Sequence, residues 1–439
     1  MSNPVLGLIS LAIAVIGVLT GFPMAFVFIF VGLLFGLIGV GQQVFNLLTY
    51  QFFSLMTSVE LASIPLFLFM GYVLEQSGLM DRMFRALRTT LGGIKGSLYV
   101  IVLLIATVFA AATGIVGASV TVLGVMAAPT MIRSGYDIRM SAGTIAAGGT
   151  LGILIPPSIM LIVMGPMVGV PVSNLFSAAI IPGLLLAAFY LVYTVIRCHI
   201  NPALGPVHVH EGTLPTAGEK ARELLLGVIP ISIILMSTLG LIIAGVTTPT
   251  DAAATGAFAA LILTVIHGTM EWKHLKTAVF RTMETTAFIM LLIGAANFFG
   301  AVFARLGSGS LITSYLLDLP VPPMVMLFLM LLLIFALGGP LEWIPIVLVV
   351  MPILLPVVRE LGFDMLWFSI LVAVTLQSSW LTPPLALSAY FLKGVVPQWS
   401  MKDIYIGMLQ FVVLQFLVVA ILVMFPVLVN WLPHLAGLQ

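Results

Sequence analysis

The sequence predicts an all-α polytopic membrane protein, and three observations lead there. Of its 439 residues, 61% are hydrophobic and only 7% charged, against about 25% charged in an average soluble domain. The apolar residues form long unbroken runs, unlike the alternating strands of an outer-membrane barrel. The 16 Lys and Arg and 15 Asp and Glu residues fall mostly between those runs, too few to cover a water-exposed particle of this length. A net charge of +1 offers no basic face for nucleic-acid phosphates. The lone Cys198 excludes a disulfide framework or a Cys-rich metal centre. The surrounding medium is therefore a lipid bilayer.

A bilayer span takes about 20 apolar residues. Apolar runs lie at about 4–20, 22–40, 60–80, 97–132, 140–168, 173–196, 224–245, 251–269, 285–304, 321–358, 365–392 and 404–432. The first reads as a membrane helix rather than a signal peptide, because no Lys or Arg precedes Val5. The stretch 41–58 is polar enough to lie at the interface or in a loop, so 1–58 is expected to hold scaffold helices and an interfacial segment. The runs 97–132 and 321–358 are too long for one span and are expected to be helical pairs. Residues 169–284 supply further helices around a loop at 197–223, and 393–439 a C-terminal helix.

Short loops rich in Lys and Arg stay cytoplasmic. With each long pair returning to its own side, Arg82, Arg85, Arg88, Lys95, Arg133, Arg139, Arg197, Lys220, Arg222, Lys273, Lys276, Arg281, Lys393 and Lys402 fall inside. Only Arg305 and Arg359 fall outside. This register puts both termini on the periplasmic side of a bacterial inner membrane and makes 197–223 the largest cytoplasmic loop.

The chain also resembles itself. Gly135-Tyr136-Asp137 precedes Pro156-Pro157 by 21 residues, and Gly362-Phe363-Asp364 precedes Pro383-Pro384 by the same 21, an offset of 227 that also relates Pro129 to Pro356. Upstream the offset is 229, relating Gly71 and Gly78 to Gly300 and Gly307. Repeat 1 (59–168) and repeat 2 (285–392) thus each read as a helix, a long pair, a Gly-aromatic-Asp turn and a helix broken at Pro-Pro. The charge count sets them in opposite senses, an inverted-topology repeat of the kind found in secondary transporters.

The centres of the long pairs suggest re-entrant hairpins. Residues 111–121 and 336–345 are small, Gly-rich and weakly polar, as a hairpin tip buried in protein at membrane depth requires. At the broken helices 140–168 and 365–392, two prolines remove two N–H donors, and carbonyls of the preceding turn lose their partners. A bound cation offsets that cost, and hard cations prefer oxygen ligands. The candidate Na⁺ ligands are Ser119, Gly152, Ile155 and Pro156 in the first half, and Gly338, Gly339, Ser378, Ser379 and Thr382 in the second. Candidate substrate contacts are Thr113, Gly117, Thr121, Pro157, Ser158, Pro340, Glu342 and Pro384. The simpler alternative is that each Pro-Pro only kinks its helix and that Gly148-x-x-x-Gly152 is a packing face.

At these residues the sequence resembles the large membrane subunit, of DctM type, of a tripartite ATP-independent periplasmic (TRAP) transporter. The similarity covers almost the whole chain. It is carried by Gly149-Thr150-Leu151-Gly152-Ile153-Leu154-Ile155-Pro156-Pro157-Ser158, by Thr248-Pro249-Thr250-Asp251-Ala252-Ala253-Ala254 with Asp in place of the family's usual Glu, and by Leu381-Thr382-Pro383-Pro384. Leu385 to Phe391 departs from the family's commoner Val-Gly-Leu-Asn-Leu-Phe and looks more like a branch associated with keto acids, sugar-alcohol-like or aromatic carboxylates. The resemblance implies a small four-helix membrane partner, a periplasmic substrate-binding protein, Na⁺ as coupling ion with no other cofactor, and a transport domain that moves like an elevator against a scaffold. The substrates it implies are small organic anions such as dicarboxylates, keto acids or sugar acids.

No Lys or Arg lies near the centre of an expected span, so bound cations and half-helix N-termini are expected to hold an anionic substrate. Asp137, Asp364, Asp251 and Glu60 lie where helix N-caps are expected. Rival classes are weaker. Gly117-Ala118-Ser119 lacks the trailing Gly of a hydrolase elbow, and Gly92-Gly93-Ile94-Lys95 has the wrong spacing for a P-loop. A channel would want a polar pore ring. The nearest alternative is a stand-alone Na⁺/anion symporter of similar architecture that needs no binding protein.

Overall fold

A computed structural model describes residues 3–114, 116–207, 217–383 and 386–437. It is helical throughout these residues, with no strand among them. In chain order the helices are α1 (Asn3–Leu19), α2 (Met24–Gly39), α3 (Gln43–Met56), α4 (Ser63–Gln76), α5 (Leu79–Leu91), α6 (Ser97–Thr113), α7 (Val116–Arg133), α8 (Ile138–Leu154), α9 (Ile159–Val168) and α10 (Val172–Ile200). There follow α11 (Ala217–Leu235), α12 (Leu241–Ile243), α13 (Pro249–Ile266), α14 (Trp272–Arg305), α15 (Ser308–Leu317) and α16 (Pro323–Gly338). The last are α17 (Trp343–Pro345), α18 (Met351–Glu360), α19 (Met365–Ser379), α20 (Leu387–Val395), α21 (Met401–Met424) and α22 (Val427–Leu435). Eight helical stretches of the described residues are long and apolar enough to cross a membrane.

The landmarks of the repeat have structural counterparts. Gly78 and Gly307 open α5 and α15 in the left-handed region, at φ 69° and 78°. Gly135 and Gly362 turn the chain at φ 69° and 74°, a conformation that costs a residue with a Cβ about 1–2 kcal/mol. Directly after them, Asp137 and Asp364 cap α8 and α19 by accepting from the amides of Met140 and Trp367 at 2.8 and 2.9 Å. Thr248 caps α13, accepting from the Asp251 amide at 3.2 Å while its hydroxyl donates to the Asp251 carboxylate at 2.7 Å.

Helices α8 and α19 form the centre of the protein: α8 is buried from Met140 to Leu154 and α19 from Leu366 to Ser379, as helices apolar all round must be. Each hairpin also reaches across to the other repeat. Helix α7 packs on α20, with Gly117 against the Phe391 ring and Gly124 against Val395, and α9 packs on α17 and α18. Around this body stand α1, α2, α3, α4, α11, α13 and the 34-residue α14. Helix α10, grouped with the surrounding helices in the sequence reading, packs against α6, α8, α9, α19 and α21.

The 41–58 stretch, expected at the interface or in a loop, contains helix α3, which packs along α14 with Phe52 against Gly294. Two elements differ from expectation. Helix α14 begins at Trp272 rather than near 285, because Lys273, Lys276 and Arg281 occupy one end of a long helix that charge counting reads as a loop. The C-terminal segment is two helices, since Pro426 carries no N–H to continue α21.

Candidate functional site

In the first half the last ladder bond of α8 runs from the Ile155 amide to the Leu151 carbonyl at 2.8 Å. Pro156 and Pro157 cannot donate to the carbonyls of Gly152 and Ile153. The Ser158 hydroxyl takes over one of them by donating to the Ile153 carbonyl, and Ser158 then caps α9. The helix ladder gives the Gly152 carbonyl no donor. The tip of the α6–α7 hairpin lies against this break. Gly114 sits at φ +61°, and a Cβ there would come 2.9 Å from the Pro157 carbonyl oxygen. A Cβ on Gly152 would lie 3.7 Å from the Ala110 backbone and 3.8 Å from that of Gly114.

The second half closes differently. Pro383 and Pro384 withhold donors from the carbonyls of Ser379 and Trp380, but the chain supplies others. The Thr382 amide reaches Ser379 at 3.3 Å and the Ser388 amide reaches Trp380 at 3.4 Å. The expected freeing of carbonyls over Ser379 to Thr382 is therefore corrected at these two positions: the interruption between α19 and α20 is long enough for the chain to turn back and supply the missing donors. The hydroxyls also bond to the backbone. Ser378 donates to Thr375 at 2.6 Å, Ser379 to Leu376 at 2.5 Å and Thr382 to Ser378 at 2.8 Å, so they offer only lone pairs to a ligand. The α16 end meets this break: a Cβ on Gly338 would lie 2.5 Å from the Ser379 hydroxyl.

Both tips open on one cavity of about 610 Å³. Gly117 and Thr121 of the first hairpin line it, with Ile153 and Ile159 from either side of the first break, Glu342 of the second hairpin, and Trp380 past α19. A neighbouring cavity of about 480 Å³ shares Glu342 and Trp380 and adds Gly338, Gly339, Pro340 and Ser379. Ser119, Gly152, Ile155, Pro156, Pro157 and Ser158 are buried behind these linings. The Thr113 side chain and Pro384 lie outside the described residues.

Opposite the tips stands a polar wall that sequence reasoning missed, made of Tyr72 and Glu75 on α4 and Arg281, Glu284 and Thr285 on α14. Arg281 donates to the Glu75 carboxylate at 2.9 Å, and the Tyr72 hydroxyl shares a 2.8 Å hydrogen bond with Thr285. Arg281 brings a basic side chain to this lining, 49% exposed rather than buried. The signal available in the sequence was Glu75, an acid inside the apolar run 60–80. The lining carries the carboxyl groups of Glu75, Glu284 and Glu342 and the guanidinium of Arg281.

The family model for the DctM component of the tripartite ATP-independent periplasmic transporter matches residues 11–428. The sialic acid TRAP transporter large permease protein SiaM of Vibrio cholerae is 29% identical over 94% of this chain and 95% of its own. The C4-dicarboxylate TRAP transporter large permease protein DctM of Pseudomonas aeruginosa is 30% identical over 79% of this chain and 80% of its own. Among solved structures, the YdaH transporter of Alcanivorax borkumensis superposes with a TM-score of 0.61 at 18% identity, covering 91% of this chain and 89% of that one, a likeness of fold alone.

Proposed function

This chain belongs to the DctM component family of tripartite ATP-independent periplasmic transporters, and we propose that it imports small organic anions, driven by Na⁺, by an elevator movement. The observation that carries the reading is the position of the 610 Å³ cavity. It lies between the hairpin tips and breaks on one side and the α4–α14 wall on the other, where a body sliding against a scaffold carries its cargo. In this proposal the sliding body is α6–α10 with α16–α21, and the scaffold is α1–α4, α11, α13 and α14. The hairpins are re-entrant and the two repeats are inverted. Cations sit at the two breaks, held by the Gly152 carbonyl in the first and by hydroxyl and backbone oxygens around Ser379 in the second. They offset the carboxylates that the anion faces.

The partners in this reading are a small membrane subunit and a periplasmic binding protein that delivers the substrate. The lysine and arginine distribution supports periplasmic termini, and on that orientation the Glu75–Arg281 end of the cavity faces the cytoplasm.

The test is uptake into proteoliposomes holding this chain and its small partner, with single cysteines in 197–223 checking sidedness. Uptake is expected only with an inward Na⁺ gradient and a loaded binding protein, and labelling of those cysteines only from the cytoplasmic side. Equal uptake with K⁺ replacing Na⁺ would remove the cation sites. Uptake without the binding protein would favour the stand-alone symporter.

A further inference from the structure

Away from the cavity, four helices bring together four polar side chains that the transport reading does not use. Thr150 of α8, Tyr190 of α10, Gln377 of α19 and Gln415 of α21 are each 0% exposed. The Gln377 amide nitrogen donates to the Thr150 hydroxyl at 3.1 Å, and that hydroxyl donates onward to the Ala147 carbonyl at 2.8 Å. The Tyr190 hydroxyl stands beside the side chains of Thr150 and Gln415. The Gln377 side-chain oxygen, the Tyr190 hydroxyl and both polar atoms of Gln415 have no hydrogen-bond partner among the described residues. Orphaned polar atoms at this depth are costly in a membrane protein, and native interiors pair them with protein or with ordered water.

The positions are related by the repeat. Thr150 and Gln377 are counterparts at the offset of 227, and they touch. Two equivalent positions meet only where the axis relating their repeats passes. Tyr190 and Gln415 lie on α10 and α21, the helices that next cross the body after the two breaks.

We infer that this cluster binds ordered water, one or a few molecules, forming a hydrated joint between the two repeats at their axis. The donor and acceptor inventory selects water over a cation. The orphaned set holds the oxygens of Gln377 and Gln415 as acceptors, the Gln415 amide nitrogen as a donor and the Tyr190 hydroxyl, which can be either. A water donates to the first two and accepts from the others, whereas a cation satisfies only the oxygens and leaves the amide N–H groups stranded. No carboxylate belongs to the cluster to balance an ion.

The experiment is a high-resolution cryo-EM map of the chain with its small partner, recorded in Na⁺ and again in choline. Density is expected within about 2.7–3.2 Å of the Tyr190 hydroxyl and the Gln377 and Gln415 side-chain oxygens, unchanged between the two buffers. Density that vanishes in choline would overturn the inference in favour of a cation. A map with the side chains turned to bond each other directly, and no density between them, would overturn it outright. Where a map falls short of resolving water, thermal melts of Tyr190→Phe, Gln415→Met and the double variant decide. A shared water makes the double variant melt little below the worse single one, and fully additive shifts would refute the joint.

Discussion

At the first break a serine hydroxyl takes one orphaned carbonyl and the Gly152 carbonyl receives nothing from the helix ladder. At the second, the amides of Thr382 and Ser388 reach both orphaned carbonyls, and three hydroxyls are bonded into the last turn of α19. The same Pro-Pro lesion thus leaves different chemistry exposed: a backbone oxygen in one half, hydroxyl lone pairs in the other. The tips differ to match. Gly114 is held in the left-handed region against backbone, while Gly338 faces the hydroxyl and Cβ of the Ser379 side chain. Two repeats can therefore share a plan and still offer unequal sites to a ligand.

The largest test of that inequality is at the tips. Gly114→Ala adds about 1–2 kcal/mol of left-handed strain and drives a Cβ toward the Pro157 carbonyl, which cannot step aside. Initial uptake is expected to fall at least about tenfold. Gly338→Ala meets a short side chain rather than backbone, the Ser379 hydroxyl at 2.5 Å and its Cβ at 2.8 Å, so its loss should be smaller and should be relieved by adding Ser379→Gly. Equal losses with no relief would show that the tips are interchangeable.

A smaller effect is expected at the breaks. Ser158→Ala strands the Ile153 carbonyl, a loss of about 1–3 kcal/mol that reads out as a lower melting temperature of the complex. Thr382→Val removes one bond from a Ser378 carbonyl that keeps the Leu381 amide at 3.1 Å, so its stability cost should stay near about 0.5–1.5 kcal/mol. Its Na⁺ half-saturation should rise by roughly fivefold or more as the oxygen is lost. If that value holds constant while Ser158→Ala shifts it, the roles of the halves are reversed.

The smallest effect is expected at the wall, which both halves share. The Arg281–Glu75 pair is partly exposed, with side chains 49% and 16% accessible, and such pairs contribute about 0.2–1 kcal/mol. Glu75→Gln should improve apparent affinity for an organic anion by roughly two- to fivefold, and Arg281→Gln should weaken it, with Na⁺ half-saturation unmoved in both. A change in Na⁺ dependence would mean that the wall belongs to one cation site rather than to the shared cavity.

What was legible in the sequence was chemistry carried by neighbouring residues. Asp137 and Asp364 read as caps, and the glycines before them as turns, because a cap and a left-handed turn are decided within four residues. Pro-Pro reads as a break for the same reason. The pairing of Glu75 with Arg281 was not legible, because it depends on how α4 lies along α14, and the charge count could only place Arg281 in a loop. The hydroxyls of Ser378, Ser379 and Thr382 are spent on carbonyls three or four residues back, a local habit of such residues, whereas the reach of the Ser388 amide to Trp380 spans eight residues and no spacing announces it. The meeting of Thr150 and Gln377 was implicit in the offset of 227 but required the two halves to be folded together.

That meeting has a consequence for any assembly built from two like halves. In a homodimer of one repeat, the residue on the twofold axis faces an identical copy of itself, so a side chain there must satisfy its own twin. Threonine against threonine has to break the symmetry to form its O–H···O bond, and glutamine against glutamine keeps it only as a reciprocal pair of amide bonds. A single chain is free of that restriction. Here one copy is Thr150 and the other Gln377, acceptor against donor, and the contact at the axis is complementary because the two positions are encoded separately.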